Sequence, residues 1–247
     1  MSTRPIGDRV LLPAATRPSP ITHVGRTIKL VPLKAVHADD LFPLVSNDHP
    51  GQTALWDYMP DGPYDEISAL RADFVSKEAS VDPLFFAIID TRPPSDAVKT
   101  SGKAIGYITL MSISPENLRV EIGNVSFTRA IQRTTGATEA VYLLLKHVIE
   151  DLGYRRVEWK CNALNEPSRR AAERYGFQYE GTFRQHMIVK GRNRDTAWYS
   201  IIREEWEGVR RGFEGWLDEA NFDAQGKQLR RLEEIRVFRE HRSDVDL

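Results

Sequence analysis

Residues 119–153 constrain the fold more than any other stretch. Ala137, Ala140, Val141, Leu144, Leu145, Val148, Ile149 and Leu152 recur at helical spacing. They form one apolar stripe, which predicts a helix over 137–152 that buries a single face. Gly153 follows as its C-terminal stop. Ahead of the helix, 119–127 reads as a strand. The loop between them, Gln132-Arg133-Thr134-Thr135-Gly136-Ala137-Thr138, is short and basic and contains a glycine. Unpaired first-turn amides and the helix dipole suit such a loop to an anion. A glycine loop before a helix is also ordinary in any α/β protein, so the flanks must decide.

The strand carries a second signal. Val120 and Ile122 fall on one parity, Val125 and Phe127 on the other. One extra residue at Gly123-Asn124, a β-bulge, would move the apolar face and free backbone groups for a ligand. A strand buried on both faces is the alternative.

The order of strand, loop QRTTGATEA, long helix, strand RRVEWKC and segment NALNEPSRRAAERYGF resembles the GNAT superfamily of acyl-coenzyme A N-acyltransferases. Within it, the ribosomal-protein N-terminal acetyltransferase branch and its small-molecule relatives are the most similar. The resemblance spans about 26–202 and is densest over 120–200. It implies an α/β (α+β) fold: a mixed, mostly antiparallel central sheet, a parallel crossover pair at the coenzyme A site, and helices on both faces. It also implies acetyl-CoA as co-substrate and an amine as acceptor.

In that superfamily the loop reads Gln/Arg-x-x-Gly-x-Gly/Ala and holds the coenzyme A pyrophosphate. Gln132 and Ala137 fit its ends; Thr135 stands at the glycine position, and Gly136 comes one place later. The implied pyrophosphate contacts are Gln132, Arg133, Thr134, Thr135, Gly136, Ala137 and Thr138. The main chain of Val125, Ser126 and Phe127 is implied along the pantetheine arm. Asn165 and Ser168 match the start of the helix after the parallel strand.

Acyl transfer from a thioester needs a sink for the amine proton, a donor for the carbonyl oxygen and a proton for the leaving thiolate. No Ser-His-Asp set is visible, so transfer is expected to be direct. Glu121 lies just before the bulge, where many relatives place a general base; a carboxylate in a salt bridge is its other reading. The family tyrosine that protonates the thiol would fall at Ala172, which cannot donate, and Tyr175 is expected to pack in the core. Ser168 or water is the remaining donor. Asp195 either binds the acceptor amine or closes a hairpin turn. Trp56 and Tyr58, in the aromatic loop LWDYMPDGPY at 55–64, are expected with Asp195 and Tyr199 in the acceptor pocket. For the loop aromatics, a lid over the core is the alternative. His186 alternates with Ile188 and reads as packing.

The 247 residues fit one domain with extensions or two small domains, and a hydrophobic content of 41% supports a real core. Lys+Arg 34 against Asp+Glu 35 gives a net charge of -1. Neither nucleic acid nor membrane is therefore expected as a partner. The single cysteine, Cys161, cannot form an internal disulfide and reads as a buried thiol. The six histidines show no metal-ligand spacing. Pro13 cuts short the apolar run at Val10-Leu11-Leu12, and a cytoplasmic protein is the expectation.

Three regions are expected: a proline-rich arm at 1–25, a GNAT-like domain at 26–203, and a helical, charged extension at 204–247. Strands are predicted at 26–32, 84–90, 103–113, 155–161, 177–189 and 195–202, with helices at 38–46 and 65–80 and after Asn165. The last two strands should form a hairpin across 190–193. In the extension, Trp206, Val209, Phe213, Trp216 and Leu217 make an apolar face that Gly208, Gly212 and Gly215 weaken. Leu229, Leu232, Ile235 and Phe238 follow. A solvated helix folded back on the domain is one reading; a helix for a partner, or for a homodimer, is the other. Two functions remain open: an N-acetyltransferase for a primary amine, with a small molecule favoured over a protein N-terminus, and a non-catalytic acyl-CoA-binding module that acts through its tail.

Overall fold

A computed structural model describes residues 6–46, 53–95 and 98–236. Residues 1–5 of the arm and Phe238 of the tail lie outside them. In chain order the elements are β1 (His23–Val24), β2 (Ile28–Pro32), α1 (Ala38–Val45), α2 (Ile67–Glu78), β3 (Leu84–Asp90), β4 (Ala104–Ser114) and β5 (Arg119–Phe127). Then come α3 (Thr135–Lys146), β6 (Arg156–Asn162), α4 (Glu166–Tyr175), β7 (Gln178–Val189), β8 (Arg192–Ile202), α5 (Arg203–Leu217) and α6 (Leu232–Ile235). The strands form one sheet in the order β1-β2-β3-β4-β5-β6-β8-β7. Only β5 and β6 run parallel, because α3 carries the chain across the sheet between them.

Alternation along the strands builds a core on each face. One contains Ile88, Leu110, Ile122 and Val157 beneath α3 and α5. The other contains Phe85, Ala87 and Tyr107 beneath α1 and α2. The stripe of α3 is buried as the spacing predicts, but the helix starts at Thr135 rather than Ala137. After Lys146 it widens into a π turn, His147–Asp151, in which Leu152 N donates to His147 O at 3.1 Å. Gly153 (φ 83) then ends it.

The bulge is present. Thr109 faces Gly123 while Tyr107 faces Ser126, so β5 spends three residues where β4 spends two, and Asn124 turns to φ 43. β5 pairs with β6 only from Arg119 to Glu121, whereas β6 stays with β8 as far as Asn162 and Thr196. Past Glu121 the two parallel strands part.

Two other expectations need correction. The β7–β8 turn is two residues, Lys190 (φ 48) and Gly191 (φ 72), both left-handed as the tight hairpin twist requires. β8 therefore starts at Arg192, and Asp195 lies inside it. In the tail, α5 buries Trp206, Val209, Phe213 and Trp216 in the same core as α3. Gly212 and Gly215 serve close approach. A Cβ at Gly212 would lie 2.9 Å from Cβ of Arg236, and one at Gly215 would lie 2.8 Å from Cγ2 of Ile235. Their absence lets the α6 segment lie against α5.

The half-buried His23 ring stands 4.5 Å from the ring of His147, whose Nδ1 pairs with Asp151 Oδ2 at 2.8 Å. Burial, and then the charge of His147, lower the His23 pKa from 6.5 to about 4, with Asp151 opposing. Between those values the unfolded chain binds the proton and the folded chain does not, so stability falls as pH drops through this window. After screening of a partly exposed group, the expected loss is about 1–2 kcal/mol. Thermal midpoints measured from pH 7 to pH 4 should decline less in His23→Gln than in the parent.

Candidate active site

The parting of β5 and β6 opens a cleft in the sheet, and two helix N-termini face it. At one side Arg133 (φ 61) turns the chain into the extended N-cap residue Thr134. The Thr134 hydroxyl donates to Ile131 O at 2.7 Å and does not cap the helix, which leaves the first-turn amides of α3 without a side-chain acceptor. The Gln132 side chain donates to Phe127 O at 2.7 Å and braces the loop against the strand end. The Arg133 side chain is exposed, with no hydrogen-bond or ion-pair partner among the described residues.

Two loop expectations change. A Cβ on Gly136 would lie 2.7 Å from Cγ2 of Ile28, so this glycine admits the helix to the sheet. Thr138 is buried, and its hydroxyl accepts from Arg174 Nη1 at 3.0 Å. Its side chain therefore points at α4, and Thr135, Gly136 and Ala137 lie in the first helical turn.

At the other side Asn165 caps α4, its Oδ1 accepting from Ser168 N at 3.2 Å, with Pro167 in the first turn. Ser168 Oγ accepts from Trp159 Nε1 at 3.0 Å. The indole can only donate, so the serine's own proton points elsewhere, and its bond to Cys161 favours the thiolate there. A split parallel pair flanked by an uncapped α3 and a serine-bearing α4 agrees with the comparisons. Residues 27–178 match the family model described as an acetyltransferase (GNAT) domain.

The chain belongs to the GNAT acetyltransferase family.

A GCN5-related N-acetyltransferase from Brucella melitensis is 41% identical, with a TM-score of 0.84 over 90% of this chain and 97% of that one. A probable GNAT acetyltransferase from Chromobacterium violaceum is 35% identical, with a TM-score of 0.70 over 83% of this chain and all (100%) of that one. The putative ribosomal N-acetyltransferase YdaF of Bacillus subtilis is 33% identical over 107 residues, 43% of this chain and 58% of that protein. The chain thus spans less than two thirds of YdaF.

In this GNAT domain Ala172 is fully buried and Tyr175 packs against Trp159 and Phe213, so no tyrosine of α4 reaches the cleft. Cys161 is buried on β6, and burial pushes its thiol pKa up. Glu121 sits where the strands part, buried and ion-paired. Its Oε2 takes Lys160 Nζ at 2.8 Å and Ser112 Oγ at 3.0 Å. Lys160 stands 2.8 Å from Glu158 Oε2 as well, and 4.1 Å above the Trp198 ring. Burial alone would raise the Glu158 carboxyl, but Arg156 and Lys160 outweigh it and hold the pKa below its usual range. Of the two readings of Glu121, the structure supports the salt bridge.

The acceptor-side expectations also shift. Trp56 is 1% exposed; its Nε1 donates to Val45 O at 3.0 Å, and its ring stands 5.1 Å from Tyr64. It is a core residue that borders the site. Tyr58 OH donates to Leu164 O at 3.1 Å and ties the aromatic loop to the β6–α4 turn. Tyr199 is buried on the α4 face, its hydroxyl 3.2 Å from Arg169 Nε. Asp195 Oδ1 accepts from Gln185 N at 2.7 Å and from Asn193 Nδ2 at 2.9 Å, which lowers its pKa. It thereby mends β7 where the register shifts between Phe183 and Met187, and it does not close the Lys190-Gly191 turn.

A cavity of about 330 Å³ does lie between the aromatic loop and the final hairpin. Trp56, Tyr58, Asn162, Leu164, Lys190 and Arg192 contribute to its wall, but Asp195 and Tyr199 do not. Lys190 Nζ closes it by donating to Trp56 O at 2.9 Å and to Asp61 O at 2.8 Å. The sequence signal for Arg192 and Arg194 was their alternation on β8, which puts both on one face. A larger, shallower hollow of about 410 Å³ lies between α3, α5 and the β1–β2 turn, away from the cleft. Among the described residues no helix is long and apolar enough to cross a membrane, and no metal-binding cluster occurs.

Proposed function

We propose that this chain transfers the acetyl group of acetyl-CoA directly to a primary amine, a small molecule in preference to a protein N-terminus. The observation that carries this reading is the unpaired edge of β5 beyond its bulge, set beside the uncapped N-terminus of α3. The pantetheine arm lies along Val125, Ser126 and Phe127, and the pyrophosphate sits on the first-turn amides and Arg133. The amine nitrogen attacks the thioester carbon and the carbon–sulfur bond breaks. The thiolate takes the Ser168 hydroxyl proton, which water replaces, and the amine proton leaves to solvent. Glu121 accepts that proton only by releasing Lys160. The cavity, at the small end of ligand-site volumes, favours a small acceptor. The binding-module alternative needed a free tail, whereas α5 buries its apolar face in its own core.

The reading is tested by thiol release from acetyl-CoA over a panel of small amines and peptides, with the product identified by mass. Binding of acetyl-CoA with no acetylated product from any amine would sink it. Arg133→Ala should weaken coenzyme A binding about ten- to a hundredfold, the loss of one charge-assisted contact. Unchanged affinity by calorimetry would remove Arg133 from the site.

A further inference from the structure

The cavity beside the cleft carries an imbalance of charge that the transfer reading leaves unused. Lys190, Arg192 and Arg194 contribute to its wall, against a single carboxylate, Asp57. Lys190 bonds only neutral carbonyl oxygens, so its charge is not cancelled. Arg194 donates through Nε to the Thr196 hydroxyl at 3.2 Å. The Arg192 side chain has no hydrogen-bond or ion-pair partner among the described residues, and neither has the Asp57 carboxylate. Arg192 and Arg194 share one face of β8, while Asp57 comes from the aromatic loop across the cavity.

The geometry points to an acceptor amine that also carries an acidic group, a carboxylate or a phosphate, held by Arg192 and Arg194. A guanidinium presents a planar fork that matches either anion, and Arg192 stands exposed and unpaired at the rim of the cavity. Asp57 faces the ammonium end before the amine loses its proton. This assignment rests on the transfer reading above and narrows its substrate class. The volume favours a molecule of amino-acid size; an acidic peptide N-terminus offers the same chemistry from another source.

Three matched pairs of acceptors test it: leucine against leucinamide, phosphoethanolamine against ethanolamine, and a Ser-Asp-Ile against a Ser-Asn-Ile peptide amide. In at least one pair the parent should use the acidic member at least tenfold better in kcat/KM, and that pair names the source. Arg192→Gln should raise KM for that acidic member about ten- to a hundredfold. Its KM for the neutral twin and for acetyl-CoA should stay put, and Arg192→Lys should restore part of the loss. No acid preference in any pair, or an equal rise for both twins in Arg192→Gln, overturns the assignment. Should no acceptor release thiol, the transfer reading falls, and calorimetry of the same pairs on the parent protein decides for the cavity. Tighter binding of an acidic twin then sustains the anion site, and equal or absent binding in all three pairs removes it.

Discussion

Glu139→Ala is expected to lower the unfolding free energy by about 2–4 kcal/mol, because it strands several buried neutral donors that each cost about 1–3 kcal/mol where water does not reach them. Glu139 lies on α3, 5% exposed, and points at the β1–β2 turn. Its carboxylate accepts from the backbone N–H groups of Arg26 (2.5 Å), Thr27 (2.8 Å) and Ile28 (3.2 Å) and from the Thr27 hydroxyl (2.7 Å). The turn is closed around it: a Cβ on Gly25 would lie 2.5 Å from the Glu139 carboxyl carbon. Alanine strands these donors. Glutamine keeps one acceptor oxygen but brings an N–H group against them, so its loss should fall between. Urea unfolding should show a lower midpoint with an unchanged slope. A shift below about 1 kcal/mol would mean that water satisfies the turn.

The second large effect is expected for Lys160→Met. Lys160 stands between Glu121 and Glu158, and the three side chains are 12%, 7% and 5% exposed. The two glutamates face each other across the parallel pair. Without Lys160, Glu121 loses its cation while Glu158 keeps Arg156 and Arg119, and the two buried carboxylates confront each other at a cost of about 3–5 kcal/mol. The sign with pH is distinctive. In the variant one carboxyl has a folded-state pKa above its unfolded value, so the variant gains stability as pH falls and that group protonates. In the parent Glu158 is held below its usual range, so its contribution is lost as pH falls. The stability gap should therefore be widest near pH 8 and narrower at pH 5. Denaturant midpoints showing an equal gap at both would place the loss outside this pair.

Local pattern made the framework legible. The stripe of α3, the change of parity in β5 and the crossover to β6 each follow from spacing alone. The boundaries missed had tertiary causes. α3 begins at Thr135, and Gly136 in its first turn approaches Ile28, a contact invisible in the sequence. Gly212 and Gly215 look like helix weakeners until the segment bearing Ile235 and Arg236 is laid on them. The site was legible in part, for the same reason. Alternation puts Trp198 and Tyr199 on opposite faces of β8 without saying which face a ligand meets. The aromatics at 55–64 signalled a special loop, yet one of them, Trp56, is core. Asp195 was placed at a turn that the backbone completes four residues earlier, at Gly191.

Within the sheet, the leaf of β1 to β5 and the leaf of β6 to β8 meet along three residue pairs, Arg119–Glu121 against Arg156–Glu158. Beyond that seam, Tyr58 and Lys190 fasten one leaf to the other by one and two hydrogen bonds to carbonyl oxygens. A molecule seated in the gap would act as a splint, and its binding free energy would add to the resistance of the whole chain to opening. The half-life of such a protein against proteases would then follow the supply of the molecule that fills the gap.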